Sequence, residues 1–139
     1  MNDEPCLCTS LRQAALAATQ IYDEALQPAG LKITMFRLLR RTSEAGQPTI
    51  SELARIVDLD RSTLGRNLKV LERAGLVKLA GGQDERSKIV GLTAKGRTTL
   101  EKALPLWAKA QRAMQALLGN EKAAVYGILS KLNQNDAHV

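Results

Sequence analysis

The sequence predicts a mainly α fold with one small β-hairpin, and three observations lead to this prediction. Residues 49–75 hold two short segments with helical spacing of apolar residues, joined by a tight connection. Residues 76–92 hold two short runs of branched residues around a Gly-Gly pair, which is typical of a hairpin. Both ends of the chain are rich in alanine and leucine at helical spacing. Two short helices followed by a hairpin make a winged helix-turn-helix.

The two short helices have recognisable ends. Ser51 precedes the apolar run of the first helix, and a serine hydroxyl at that position can accept an unpaired backbone N–H. Asp60 is predicted to cap the second helix in the same way. Gly75 follows the second helix, where glycine readily takes the left-handed conformation that ends a helix. The second helix is therefore expected between Asp60 and Gly75.

The second helix has two faces of different chemistry. Leu64, Leu68 and Leu71 recur at spacings of four and three and predict one buried stripe. The opposite stripe is polar or cationic and consists of Arg61, Ser62, Thr63, Arg66, Asn67, Lys69 and Arg73. A helix with short donors at its start and cations along its outer face suits the major groove of DNA. We therefore interpret it as a recognition helix.

The hairpin adds a second element that suits DNA. Its strands are predicted at Leu76–Leu79 and Lys88–Leu92, with a turn at Gly81-Gly82. The tip, residues 83–87, places Arg86 on a projection, and an arginine is attracted to the negative potential of a narrow minor groove.

At this point the sequence resembles the MarR family of bacterial transcription regulators. The segments ISELA, DLDRSTLGRNLKVLERAGLV, DERS and LTAKG occur in the order and spacing of that family. The most specific part is the Asp-x-Arg of the hairpin tip followed by LTxxG, and the resemblance covers nearly the whole chain. It implies a dimeric regulator that binds double-stranded DNA through the helix-turn-helix and the wing, and it supports Asp84 and Arg86 as functional residues.

Charge and length agree with this interpretation. The 139 residues carry a net charge of +6, which favours a polyanionic partner. Residues 61–88 hold seven Lys/Arg against three acids, so four of the six excess charges lie there. The length fits one domain, 1–139, with a DNA-binding lobe at about 31–92 and dimerisation helices at about 5–27 and 93–135.

The terminal helices predict a homodimer. The first helix is expected at 9–26 with Thr9 or Ser10 as its cap. A long helix is expected from the Thr93 cap to Gly119, and the last helix is expected at 121–132. Together they carry more apolar surface than the small DNA-binding lobe can cover. Two chains that interleave these helices would place two recognition helices in successive major grooves, roughly 34 Å apart, on a pseudo-palindromic operator.

For DNA contact the first candidates are Ser62, Thr63, Arg66 and Arg86, with Asn67 and Lys69 as second choices. Ser and Thr near the helix start can donate to phosphates or base edges, and Arg66 can make a bidentate contact with guanine. We expect Asp84 to orient Arg86 through a charge-assisted hydrogen bond.

Two cysteines at the start of the first helix have two interpretations. Cys6 and Cys8 are either small half-buried residues without a role or a redox sensor, because a thiolate near a helix N-terminus has a lowered pKa. Some MarR-family regulators sense organic hydroperoxides through a cysteine near this helix. A bond between residues two apart would be strained, so oxidation is expected to pair cysteines across the dimer.

The family resemblance also implies a small-molecule effector. Many members bind aromatic acids or phenolics between the dimerisation helices and the DNA-binding lobe, and release DNA by a population shift. Residues that can line such a crevice here are Arg12, Tyr22, Met35, Phe36 and Trp107, although each also suits simple packing or solvation.

Other classes of function fit the sequence less well. One histidine, His138, allows no Ser-His pair or HExxH motif, and phosphate-binding glycine loops are absent, so no enzyme, cofactor or metal site is expected. No signal peptide or membrane span is evident, which predicts a cytoplasmic protein with reduced cysteines. A protein-interaction module of the same fold is the remaining alternative, and Arg66 and Arg86 disfavour it. The expected function is a repressor rather than an activator.

Overall fold

The structure, a computed structural model, describes residues 3–136, and His138 lies outside that range. The elements in chain order are α1 (Leu7–Leu26), α2 (Ile33–Ala45), α3 (Ile50–Val57), α4 (Arg61–Arg73), β1 (Val77–Ala80), β2 (Ile89–Leu92), α5 (Ala94–Leu118) and α6 (Lys122–Asp136), with 3-10 turns at Gln27–Ala29, Glu85–Ser87 and Gly119–Glu121. The predicted fold class, mainly α with a hairpin wing, is confirmed.

The core of the segment from α2 to β2, which is the predicted DNA-binding lobe, is closed within the chain. The predicted stripe Leu64, Leu68 and Leu71 is buried, and it packs into one cluster with Phe36 of α2 and Leu53 of α3. Burying a leucine side chain contributes about 1.5–3 kcal/mol, so this cluster fixes α4 against the two helices behind it. The polar face of α4 is thereby turned outward.

The caps of the helix-turn-helix differ at one position from the prediction. Thr49, not Ser51, caps α3. Its hydroxyl oxygen accepts the Glu52 N–H at 3.1 Å, and its hydroxyl hydrogen is donated to the Glu52 carboxylate at 3.1 Å. The run of apolar residues begins at Ile50, which is buried, so the helix starts two residues earlier than a Ser51 cap would allow. Asp60 caps α4 as predicted, and Gly75 follows that helix with a φ of 76°.

The wing is the β1–β2 hairpin, and backbone hydrogen bonds also attach it to the start of α3. β1 and β2 pair antiparallel, with Val77 opposite Leu92, and each strand begins one residue later than predicted. The Ile50 N–H donates to the Lys88 carbonyl at 3.0 Å, and the Val90 N–H donates to the Pro48 carbonyl at 2.8 Å. These bonds give the base of the wing a fixed position beside the helix-turn-helix.

The start of α5 packs tightly on the end of α4. Thr93 caps α5 and donates its hydroxyl hydrogen to the Gly75 carbonyl at 2.6 Å. A Cβ at Gly96 would overlap the carbonyl oxygen of Leu76, so only glycine fits at this contact. The LTxxG motif therefore joins the DNA-binding lobe to the long helix α5.

Among the described residues, two side-chain hydrogen bonds help to hold α1 against α5 and α2. The Tyr22 hydroxyl of α1 donates to the Gln111 side-chain oxygen of α5. The Asp23 carboxylate accepts the Ile33 N–H at 2.8 Å and so satisfies one of the unpaired donors at the start of α2. Helix α1 begins at Leu7 with Cys6 as its N-cap residue, so the predicted caps Thr9 and Ser10 are wrong and lie inside the helix.

The terminal helices leave large apolar side chains exposed. Among the described residues of α1, α5 and α6, the exposed large apolar side chains are Leu7, Leu11, Leu16, Leu104, Leu117, Tyr126, Ile128, Leu129 and Leu132. Leu7 and Leu117 are 76% and 74% exposed. Most of the apolar face predicted on the last helix is thus open to solvent in a single chain.

Candidate nucleic-acid interface

A basic groove lies between α4 and the wing. It has a volume of about 810 Å³, and its lining includes Ile50, Leu68 and Leu79 at the base. The charged and small residues that line it are Arg61, Ser62, Gly65, Arg66, Lys69, Glu72, Arg86 and Lys88. Five cations thus face the groove against one carboxylate, which makes it a strongly positive concave surface between two projecting elements.

The start of α4 holds Arg66 in a hydrogen-bonded chain. Asp60 accepts the Thr63 N–H at 2.7 Å, and the Thr63 hydroxyl donates to the other Asp60 oxygen at 3.0 Å. The Arg66 Nη2 donates in turn to the Thr63 hydroxyl oxygen at 3.3 Å. The Thr63 bonds lower the pKa of Asp60, and the Arg66 charge lowers it further. Thr63 therefore orients Arg66, whereas the sequence indicated that Thr63 would donate to DNA itself.

The tip of the wing is organised by Asp84. The Asp84 carboxylate accepts the Ser87 N–H at 3.0 Å and the Ser87 hydroxyl at 3.1 Å, and these bonds lower the pKa of Asp84. The Arg86 Nη2 lies 3.8 Å from Asp84 Oδ2, which is an ion pair too long for the predicted hydrogen bond. Asp84 thus shapes the turn that carries Arg86, whose side chain is 62% exposed.

The remaining predicted contacts on α4 lie on or beside the groove. Ser62 and Lys69 are exposed and line it, while Asn67 is half-buried. Sequence reasoning did not select Arg61, Gly65 or Lys88, although all three line the groove. Positions 61, 62, 65, 66 and 69 share one helical face at spacings of three and four, and this periodicity was the signal that would have found Arg61 and Gly65.

Comparison with known proteins agrees with this geometry. A helix-turn-helix domain family matches residues 34–80. The chain is 40% identical to the transcriptional regulator MosR of M. tuberculosis, solved in complex with DNA. The match covers 96% of this chain and 98% of that one with a TM-score of 0.85. The chain belongs to the MarR family.

Two further solved structures of this family share the fold. The transcriptional repressor CouR, bound to a 23-mer DNA duplex, is 27% identical with a TM-score of 0.80 over 92% of each chain. A MarR variant of E. coli complexed with operator DNA is 23% identical with a TM-score of 0.78, over 90% of this chain and 91% of that one. This MarR-family chain is accordingly a DNA-binding transcription regulator.

The residues selected for an effector crevice are only partly brought together. Phe36 is 2% exposed and stacks on Trp107 of α5, with ring centroids 6.0 Å apart, and the Arg40 guanidinium lies 4.7 Å from the Trp107 ring. Met35 is half-buried and packs against the same core. Tyr22 is engaged with Gln111 by its hydrogen bond, and burial raises its pKa, with a further increase from Tyr126.

Arg12 and the two cysteines lie on the surface of α1. Arg12 is exposed on the first half of the helix. Cys6 and Cys8 are free and exposed, so the interpretation of both as half-buried residues is wrong. The Thr9 amide, and after it the Thr9 hydroxyl, lowers the pKa of the Cys6 thiol, although the thiol reaches no capping hydrogen-bond geometry with the described residues.

Within residues 3–136, no group of three His, Cys, Asp or Glu side chains is placed to hold a metal ion. In the same range, none of the helices has the length and apolar character needed to cross a bilayer.

Proposed function

We propose that this MarR-family regulator is a homodimeric repressor that binds an inverted-repeat operator through two copies of the basic groove. The observation that carries the proposal is the groove itself, which is lined by five cations from α4 and the wing and by one carboxylate. CouR, which shares the fold, is a repressor, and this supports repression over activation. A repressor of this kind blocks a promoter by occupying it.

Each element has a distinct role in this proposal. Arg66 reads a guanine in the major groove, because a guanidinium can donate to both O6 and N7 and the Asp60–Thr63 pair already holds it in place. Ser62, Asn67 and Lys69 contact phosphates or base edges beside it. Arg86 enters the adjacent minor groove from the wing.

The dimer forms through the terminal helices. The exposed apolar side chains of α1, α5 and α6 need a partner surface, and a second copy of the same helices supplies a complementary one. The resulting two-fold axis would place both α4 helices on one face of the DNA. The inverted-repeat operator follows from this symmetry.

Arginine variants test the roles of helix and wing. Arg66→Ala should relax base preference at one position of each half-site by about 1–3 kcal/mol. Arg86→Ala should weaken operator binding without changing that preference. Fluorescence anisotropy on a duplex from the promoter beside the gene, and on the same duplex with each guanine exchanged in turn, measures both effects. Lys102→Ala removes an exposed cation from α5 and is the matched control.

A reporter measures the sign of regulation. A promoter fusion in a bacterial host should lose expression when the wild-type protein is present, and the Arg66→Ala/Arg86→Ala double variant should restore it. Higher expression with wild-type protein would show an activator. Equal expression in both cases, together with absent binding in solution, would favour the protein-interaction module.

Release by a small aromatic ligand is the first proposed mode of control. The stacked pair Phe36 and Trp107 lies where α2 of the DNA-binding lobe meets α5, so a ligand that inserts beside this pair would shift the two lobes. Thermal-shift measurements with benzoate, salicylate and related aromatic carboxylates test this mode. A ligand that acts here should raise the Tm and weaken operator binding, and Trp107→Leu should abolish both effects.

Oxidation of Cys6 is a second candidate, favoured by its exposure and by the lowered pKa of its thiol. A hydroperoxide would transfer one oxygen atom to the thiolate and so form a sulfenic acid. The rest of the hydroperoxide would leave as an alcohol or water. A cysteine thiol of the partner would then displace water and form a disulfide. This mode predicts peroxide-dependent loss of DNA binding, reversal by a thiol reductant, and a dimer band on a non-reducing gel. Cys6→Ser should remove all three, and tight binding that ignores peroxide would exclude this route.

A further inference from the structure

Gly65 occupies an unusual place on the recognition helix. It lies in the second turn of α4, between the buried Leu64 and the exposed Arg66. It also lines the basic groove, with Ser62 one turn before it and Lys69 one turn after it. A glycine thus sits in the middle of the polar face that the proposed function turns toward DNA.

Glycine at a helix interior weakens the helix. Apart from proline it is the poorest helix former, because it loses the most backbone freedom on folding. α4 is a helix of 13 residues whose apolar stripe is already complete without it. Some requirement other than helix formation must therefore explain a glycine at position 65.

The fold itself supplies no such requirement. Gly65 is absent from the residues with positive φ in the described chain, so alanine would fit its backbone without strain. A Cβ built there meets no heavy atom of the described residues within 4 Å, apart from its chain neighbours and its own helix backbone. At Gly96, in contrast, a Cβ would overlap the Leu76 carbonyl. Gly96 is required by packing within the chain, and Gly65 is not.

We propose that Gly65 is a specificity-determining residue whose missing side chain lets the α4 backbone approach the base edges on the floor of the major groove. This inference rests on the proposed function, in which α4 enters that groove. The gap at Gly65 receives a base edge, and the longer side chains of Ser62, Arg66 and Lys69 reach past it on either side. A methyl group at this position lifts the helix away from the bases and lengthens those contacts.

The expected result is that stability and operator affinity change in opposite directions. Gly65→Ala should raise the Tm, because alanine is the better helix former and has open space. The same variant should bind the operator about tenfold more weakly, the size of losing a base contact. Gly65→Leu should bind more weakly still, while its Tm stays at or above that of the wild type. Binding to a duplex of unrelated sequence should fall less, because phosphate contacts dominate it.

The experiment combines thermal unfolding with fluorescence anisotropy on operator and unrelated duplexes. Ser43→Ala is the matched control, since Ser43 is an exposed residue of α2, outside both the basic groove and the terminal helices, where alanine is again the better helix former. The control should raise the Tm and leave the operator affinity of the dimer unchanged, with sedimentation used to check that the dimer is intact.

Two results would overturn the inference. Operator affinity of Gly65→Ala equal to that of the wild type would show that no base edge approaches position 65. A lower Tm together with weaker binding would show that the fold requires the glycine. Failure of the proposed function is distinguishable, because Arg66→Ala and Arg86→Ala would then also leave operator affinity unchanged.

Discussion

The DNA-binding lobe and the terminal helices bury their apolar side chains to different extents within one chain. In the lobe, Leu39, Leu53 and Leu64 are each 0% exposed, whereas Leu7 and Leu117 of the terminal helices are 76% and 74% exposed. The lobe also carries side-chain caps on both helices of its helix-turn-helix. The difference indicates that the lobe is complete within one chain, and it supports the proposal that the terminal helices are completed by a second copy.

The two regions are nevertheless connected at defined points. Thr93 and Gly96 hold the start of α5 against the end of α4, and Asp23 of α1 holds the start of α2. A displacement of the terminal helices would be transmitted to the recognition helix through these contacts.

The largest effect is expected at the junction. Gly96→Ala should lower the free energy of unfolding by more than about 3 kcal/mol, because the new Cβ overlaps the Leu76 carbonyl and forces backbone to move. Urea denaturation measures the change, with Gly127→Ala as the control in which the added methyl has open space. An unchanged midpoint for Gly96→Ala would show that α5 does not pack on the end of α4 in this way.

A charge introduced on the terminal helices should weaken the dimer. Leu117→Lys should raise the dissociation constant of the dimer by tenfold or more, because a lysine would be buried against the partner. A tenfold change corresponds to about 1.4 kcal/mol. Sedimentation velocity over a range of concentrations gives the dissociation constant. Val70→Lys alters a 49% exposed residue of α4 and should leave the dimer intact. A dimer that tolerates Leu117→Lys would place the partner surface elsewhere.

Within the lobe, replacing one buried hydroxyl with a methyl group should stabilise the fold. Thr42 of α2 is 2% exposed, and its hydroxyl has no hydrogen-bond partner in the described part of the chain. Thr42→Val keeps the shape and should raise the free energy of unfolding by about 1 kcal/mol. Thr98→Val, which removes an exposed hydroxyl that donates to the Ala94 carbonyl, should bring no such gain. Destabilisation by Thr42→Val would mean that the hydroxyl is satisfied in solution.

The smallest effect concerns the cap of the recognition helix. The pKa of Asp60 is lowered in the folded chain, so its ionised form stabilises the fold above its unfolded-state pKa of about 3.9, and this contribution is lost as the pH falls through the folded-state pKa. Asp60→Ala should therefore lower the Tm more at pH 7 than at pH 2.5.

Asp60→Asn separates the charge from the cap. Asparagine is an equally good N-cap residue, so this variant should have a Tm close to that of the wild type at pH 7. The difference in Tm between Asp60→Asn and Asp60→Ala should be the same at pH 7 and at pH 2.5, because neither side chain titrates. A Tm difference between wild type and Asp60→Ala that persists unchanged at pH 2.5 would contradict the assignment of Asp60 as the cap. Operator affinity of Asp60→Ala should also fall, because Arg66 loses its hydrogen-bonded support.

Local patterns were sufficient to predict the elements of the fold. The leucine stripe of α4, its Asp60 cap and the glycine after its last turn depend on neighbours in sequence, and all three are confirmed. The cap of α3 was wrong because Thr49 and Ser51 have similar chemistry, and the choice depends on the burial of Ile50 against the rest of the lobe.

Contacts between distant residues were not predictable in the same way. The packing of Gly96 on Leu76 and the Asp23 bond to Ile33 become visible only when the chain is folded. The selected DNA-contacting residues remain predictions, and their geometry differs in detail. Asp60 accepts the Thr63 N–H and Asp84 accepts the Ser87 N–H, because short side chains at turns bond to nearby backbone groups. The Thr63 hydroxyl also donates to the Asp60 carboxylate.

The most direct test of the account is a footprint of the protein on the promoter beside its gene. We predict two protected major-groove segments centred about 10 base pairs apart on one face of the DNA, each with minor-groove protection next to it. Arg86→Ala should remove the minor-groove protection and leave the major-groove segments in place. Protection of a single segment, or minor-groove protection that survives Arg86→Ala, would contradict the assignment of two recognition helices flanked by wings.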